Sequence, residues 1–179
     1  GRDVEAPLTL DVVTSVQGGE RTINIDGRDV TVRIPPGVRH GGTLRLRGQG
    51  LDGVRGGPSG DLLLTIRVAP DPDFERDGDD LRVVVPITIG EALRGAQVEV
   101  PTLDGSVRVK VPPGAQPGQV LRVRARGVAS KGRPRGDLLV ELRVRMPDLA
   151  GRDAEEAIST LEALYAGDVR EALSRRKPS

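Results

Sequence analysis

The chain has 179 residues, 36% of them apolar but only 1% aromatic, with 27 Lys and Arg set against 26 Asp and Glu. The absence of cysteine and the single histidine exclude disulfides, thiolate zinc sites and multi-histidine centres. No apolar run approaches the ~20 residues of a membrane span, the opening residues hold no secretory h-region, and a net charge of +1 gives no general pull toward nucleic acid or anionic membrane.

In chain order, the first apolar pattern is Leu8-Thr-Leu10, followed by Ile23-Asn-Ile25. Val30, Val32 and Ile34 alternate with Thr31 and Arg33, and Leu44 and Leu46 with Arg45 and Arg47. A period of two marks strands with one buried and one wet face. Leu62–Val68 is denser in apolar residues and suits the most buried strand of its group. The pattern then recurs. Residues 30–50 and 107–127 are identical at ten of 21 positions, and 58–68 and 134–144 at seven of 11. The second set of strands is therefore expected at Val107–Val111, Leu121–Val123 and Leu138–Met146. Turn signals separate them at Asp26-Gly27, Pro35-Pro36-Gly37, Gly41-Gly42, Asp104-Gly105 and Pro112-Pro113-Gly114.

The reading is a mainly β chain of two tandem small β-sandwich or barrel-like domains, 1–76 and 77–148, with a short helical tail over 149–179 that either packs on its own sandwich or pairs two chains. In the tail Asp153-Ala-Glu-Glu156 has the form of a capping box. Ile158, Leu161, Leu164 and Tyr165 follow at helical spacing, Gly167 stops that helix, and Val169 and Leu173 suggest another.

Most candidate chemistry fails on context. Gly48-Gln-Gly-Leu-Asp-Gly53 matches a dinucleotide fingerprint, but the Gly- and Pro-rich residues after it cannot open the helix that a pyrophosphate needs. The acidic run Asp71–Asp80 puts Arg76 and Arg82 where a calcium loop needs Gly and Glu, and reads as a solvated connection. His40 sits in a turn with no motif partner for a triad. Arg122, Arg124, Arg126, Lys131, Arg133 and Arg135 lack the interleaved aromatics of a nucleic-acid platform and read as a solvated face. Phe74, the only phenylalanine, lies outside any strand pattern. It either locks the domain junction or floors a groove flanked by the strands at Leu8 and Ile23.

The order and spacing of a dozen segments resemble the C-terminal substrate-binding region of DnaJ-type co-chaperones. The likeness runs over about 4–165 and rests on Val32-Arg-Ile-Pro-Pro-Gly37, Gly60-Asp61-Leu62, Phe74-Glu-Arg-Asp-Gly-Asp-Asp-Leu81, Glu91-Ala92-Leu93, Pro101-Thr-Leu-Asp-Gly105, Val-Pro-Pro-Gly114 and Gly136-Asp137-Leu138. The class without the inserted Cys-x-x-Cys module fits, because Ile25-Asp-Gly-Arg-Asp-Val30 runs straight on. Asp71 stands where the family usually has His. No His-Pro-Asp loop or Gly/Phe-rich linker is present, and the chain opens on Gly1, so it is read as a fragment.

The resemblance implies a cytoplasmic heat-shock co-chaperone region, not an enzyme and without a cofactor or metal. It implies a groove on the first domain that takes non-native polypeptide for a DnaK-type ATPase partner, with coupling through a J-domain absent here. The matching groove positions are Leu8, Ile23, Ile25, Val30 and Phe74, with Leu10 added from its strand parity with Leu8. It also implies a homodimer through the tail, for which the candidates are Ile158, Leu161, Leu164, Tyr165, Val169 and Leu173. No nucleic-acid or membrane partner is expected. The rival readings are a tandem β scaffold without a groove and, third, a carboxylate-dependent hydrolase.

Overall fold

The structure is a computed structural model that describes residues 1–148 and 151–174. It forms two compact bodies, Gly1–Arg145 and Met146 onward. Residues 149, 150 and 175–179 of the expected tail lie outside the described residues.

The first body contains both β repeats. Strands β1 (Val4–Leu10), β2 (Gly19–Ile25), β3 (Arg28–Ile34), β4 (Thr43–Leu46) and β5 (Leu62–Val68) make the first. A three-stranded sheet, β1-β5-β4, pairs β1 parallel and β4 antiparallel to β5. The β2-β3 hairpin forms the other layer. Alternation sends Leu8, Leu10, Val30, Val32, Ile34, Leu62, Leu64 and Ile66 into one core between the layers. Among the described residues the fold is mainly β and sandwich-like, with no closed barrel.

The second repeat uses the same plan with one strand more. Strands β6 (Phe74–Asp77), β7 (Asp80–Ile87), β10 (Val120–Val123) and β11 (Leu138–Val144) form a sheet in the order β10-β11-β7-β6. The hairpin of β8 (Ala96–Thr102) and β9 (Gly105–Val111) covers it. Phe74 thus belongs to a strand hydrogen-bonded into the second sheet, opposite Val83, and the expected boundary between 76 and 77 falls inside that strand.

Two six-residue helices, α1 (Val12–Gln17) and α2 (Ile89–Arg94), were not among the expected elements. Each is too short for a periodic signal but has a cap. Asp11 accepts from the Thr14 amide at 2.6 Å, and Thr88 and Glu91 exchange both bonds of a capping box. Val12 and Val16, one turn apart on α1, are buried in the core cluster of the second repeat rather than the first. Their helix therefore ties the two sandwiches together.

In the second body α3 spans Arg152–Glu162 and α4 Glu171–Ser174. The expected capping box does not form. Gly151 is the N-cap and no side chain caps α3, so Asp153 lies inside the first turn, where its charge suits the positive helix end. The helix also stops before Gly167. Short-range bonds from the Leu164 amide to Leu161 and from the Tyr165 amide to Glu162 tighten its end, leaving Leu164 and Tyr165 beyond it.

Candidate functional site

Five of the six expected groove residues belong to the first sandwich. Leu8, Leu10 and Val30 are core residues, Leu10 being only 1% exposed. They can floor a groove but offer little surface themselves. Ile23 and Ile25 pack on the same core from β2 and are half-buried, so part of each side chain stays accessible. In the hairpin register Ile23 faces Val30 and Ile25 faces Arg28. A cavity of about 200 Å³ opens beside Ile25, lined also by Val4, Arg28, Leu51, Asp26 and Asp52. Arg28 is already held there, donating to the carbonyls of Gln49 and Gly50 at 2.6 and 3.2 Å.

Phe74 is not brought together with those five. It packs on the second core and lines a larger cavity of about 580 Å³, with Val12, Val68, Ala69 and Pro70 as apolar wall and Arg39, His40 and Glu75 among its polar residues. Val68, at the end of β5, packs on both cores. Val12 and Val68 were not singled out as site residues and His40 was rejected as a catalytic one, because Val12 and His40 are far in sequence from Phe74 and Val68 reads as the end of a buried strand. The one available signal was the apolar spacing of Val12 and Val16.

Several polar residues around that larger cavity are already engaged. The Asp71 carboxylate accepts from the amides of Asp73 and Phe74 at 2.8 and 2.9 Å and sets the aromatic ring's turn. His40 accepts at Nδ1 from the Val68 amide at 3.0 Å, which fixes the proton of a neutral ring on Nε2. Arg76 donates to the carbonyls of Val38, Gly37 and Gly78. Burial, with Arg39 and Arg133 nearby, lowers its pKa from the ordinary guanidinium value.

The acidic run is a folded hairpin rather than a loose connection. Asp79 pairs with Arg39 at 3.3 Å and Arg133 at 3.5 Å and accepts from Ser130 Oγ at 3.2 Å. Much of the basic stretch is likewise paired, Arg122 with Asp137 and Arg135 with Asp104. Gly37 closes the same junction. Its φ is +84°, and a Cβ there would lie 2.7 Å from the Ala129 carbonyl oxygen.

The two Gly-Asp-Leu segments have a shared geometry. Asp61 accepts from the Gly48 amide and Arg45, and Asp137 from the Ala125 amide and Arg122. The backbone donors and then the arginines hold both carboxyls below their ordinary pKa. A Cβ on Gly136 would collide with the Asp79 carbonyl, 1.7 Å away. Among the described residues no group of His, Asp and Glu is placed to hold a metal ion.

Residues 4–147 match the DnaJ C terminal domain family model. The chain belongs to that family. Chaperone protein DnaJ 2 of Nocardia farcinica is 53% identical over 131 residues, covering 73% of this chain and 34% of that protein. Chaperone protein DnaJ 2 of Thermus thermophilus is 41% identical over 167 residues, 93% of this chain and 58% of that protein. The Curved DNA-binding protein of Pseudomonas putida is 43% identical over 157 residues, 88% of this chain and 49% of that protein. The chain spans about a third of the length of DnaJ relatives such as the Nocardia protein. No helix among the described residues is long and apolar enough to cross a membrane.

Proposed function

We propose that this region holds non-native polypeptide on the first sandwich and, within a longer cytoplasmic protein that carries a J-domain, presents it to a DnaK-type ATPase. The observation that carries this reading is the half-buried pair Ile23 and Ile25 on strand β2, above the closed floor of Leu8, Leu10 and Val30. An extended client offers backbone donors and an occasional large apolar side chain. A strand with apolar residues at its rim can take both without demanding a sequence. Phe74 supplies a second apolar wall, in the larger cavity next to Val12 and Val68. Burying one client Leu or Phe is worth roughly 1.5–3 kcal/mol, so single sites are weak and linked sites strengthen them through effective concentration.

The second body supplies that linkage by pairing two chains. Ile158 is half-buried, whereas Leu161, Leu164, Tyr165, Val169 and Leu173 are exposed. A concentration of large apolar side chains on so small a body favours a partner of the same kind.

The test is suppression of aggregation of an unfolded client by the dimer. Ile25→Ser combined with Phe74→Ser is expected to weaken holding about tenfold or more, as loss of two apolar contacts requires, with the sedimentation of the dimer unchanged. The single variants separate the two cavities. A double variant that still forms dimers and holds client as well as the parent would contradict the groove.

A further inference from the structure

The two sandwiches are copies of one plan, and only the second has a strand outside its first long strand. Val4 pairs with Leu62 as Leu81 pairs with Leu138. By the same registers Ala6 corresponds to Val83 and Leu8 to Val85. On the outer edge of β7 lies β6, antiparallel, with Phe74 opposite Val83 and Arg76 opposite Leu81. Beneath it Val83 and Leu81 are 3% and 1% exposed. Strand β1 is the edge of its own sheet among the described residues, and Val4 and Ala6 are half-buried.

We infer that the edge of β1 from Asp3 to Ala6 accepts an extended polypeptide as an added antiparallel strand, with an aromatic or large apolar residue opposite Ala6 and Lys or Arg two positions on, opposite Val4. The inference rests on the reading that the first sandwich takes extended polypeptide, and it names the edge and the pattern.

Strand β6 shows what such an occupant looks like, since it carries Phe74 and Arg76 two residues apart. The backbone is oriented for it. The Val4 amide donates to Asp61 and the Leu10 carbonyl accepts from Ala69. In a parallel ladder this turns Val4, Ala6, Leu8 and Leu10 toward β5 and leaves the N–H and C=O of Glu5 pointing outward. Arg82, the counterpart of Glu5, meets Glu75 of β6 in that way. Pro7, next along the edge, has no N–H to give, which ends pairing after Ala6.

The side chains fit too. Ala6 is smaller than its counterpart Val83 and half-buried on the same core as Ile23, which leaves room for a ring over it. The position opposite Val4 faces the cavity of about 200 Å³, where Asp26 and Asp52 stand and Arg28 is already bound to two carbonyls. That charge favours a cation.

The experiment is amide exchange and NMR on this chain with a short threonine-rich peptide carrying Phe and, two residues on, Arg. The Glu5 amide is expected to slow about tenfold or more, as a newly paired strand amide does, with contacts from the peptide ring to Ala6 and Ile23. Asp26→Asn with Asp52→Asn should weaken this peptide about two- to fivefold, the range of an exposed ion pair, and leave a Leu-for-Arg peptide unaffected. Glu5→Pro, which removes the outward N–H without touching the core, should abolish the protection. Protection on β2 with Glu5 unchanged would overturn the site while leaving polypeptide holding intact. Slowing of Glu5 with protein concentration and no peptide would overturn it in favour of a second copy. Loss of all client binding would instead overturn the reading beneath it.

Discussion

Asp61 and Asp137 hold equivalent places, each gathering a loop amide and an arginine at the start of the last strand of its sandwich. Both carboxyls lie below the ordinary value of 3.8. A carboxyl with a depressed folded pKa contributes stability that is present above its unfolded pKa and lost as pH falls through the folded one. Denaturation midpoints should therefore drop as pH falls below about 5. Asp137→Asn is expected to destabilise the protein more at neutral pH than at acid pH, where the folded carboxyl takes up its proton and the contribution is lost. Urea unfolding of parent and variant across that range checks it. Equal destabilisation at both ends would show that Asp137 acts by shape alone.

At the scale of elements, the strands were legible because each sandwich buries one face, and that writes a period of two into the sequence, as at Val30, Val32 and Ile34. The repeat made the second sandwich readable from the first. What stayed hidden was whatever depends on contacts across long separations. Helices α1 and α2 span less than two turns, so their caps, not their periodicity, define them. Strand β6 was missed because Phe74-Glu-Arg-Asp77 is short, charged and framed by Asp and Pro, and its partner is chosen by the Gly78-Asp79 turn. The burial of the candidate residues was legible from alternation, with Leu8, Leu10 and Val30 in the first core and Ile23 and Ile25 half-buried on it, while Phe74 went to a different cavity because its strand joins the other sheet. In the tail, Asp153-Ala-Glu-Glu156 had the residues of a capping box, but the helix starts at Arg152, ahead of Asp153, and the reciprocal bonds cannot form.

Across the whole molecule, the two sandwiches are tied by α1, by the Arg76 bonds to the loop at Gly37 and Val38, and by Asp79 with its arginines. This joint keeps the apolar rim and the Phe74 cavity on one compact body. The apolar side chains beyond Met146 form a separate body, which the account assigns to pairing of chains. Ending the chain near Pro147 should give a folded monomer with weakened client holding, and sedimentation of the shortened chain decides this. A dimer without the tail would move the interface elsewhere. The central claim, that the first sandwich holds non-native polypeptide, is tested most directly by titrating the isotope-labelled chain with an unfolded, apolar-rich polypeptide and following its amide and methyl signals. The account predicts shifts centred on Leu8, Ile23, Ile25 and Phe74. Shifts confined to the second sandwich away from Phe74, or none at millimolar peptide, would contradict it.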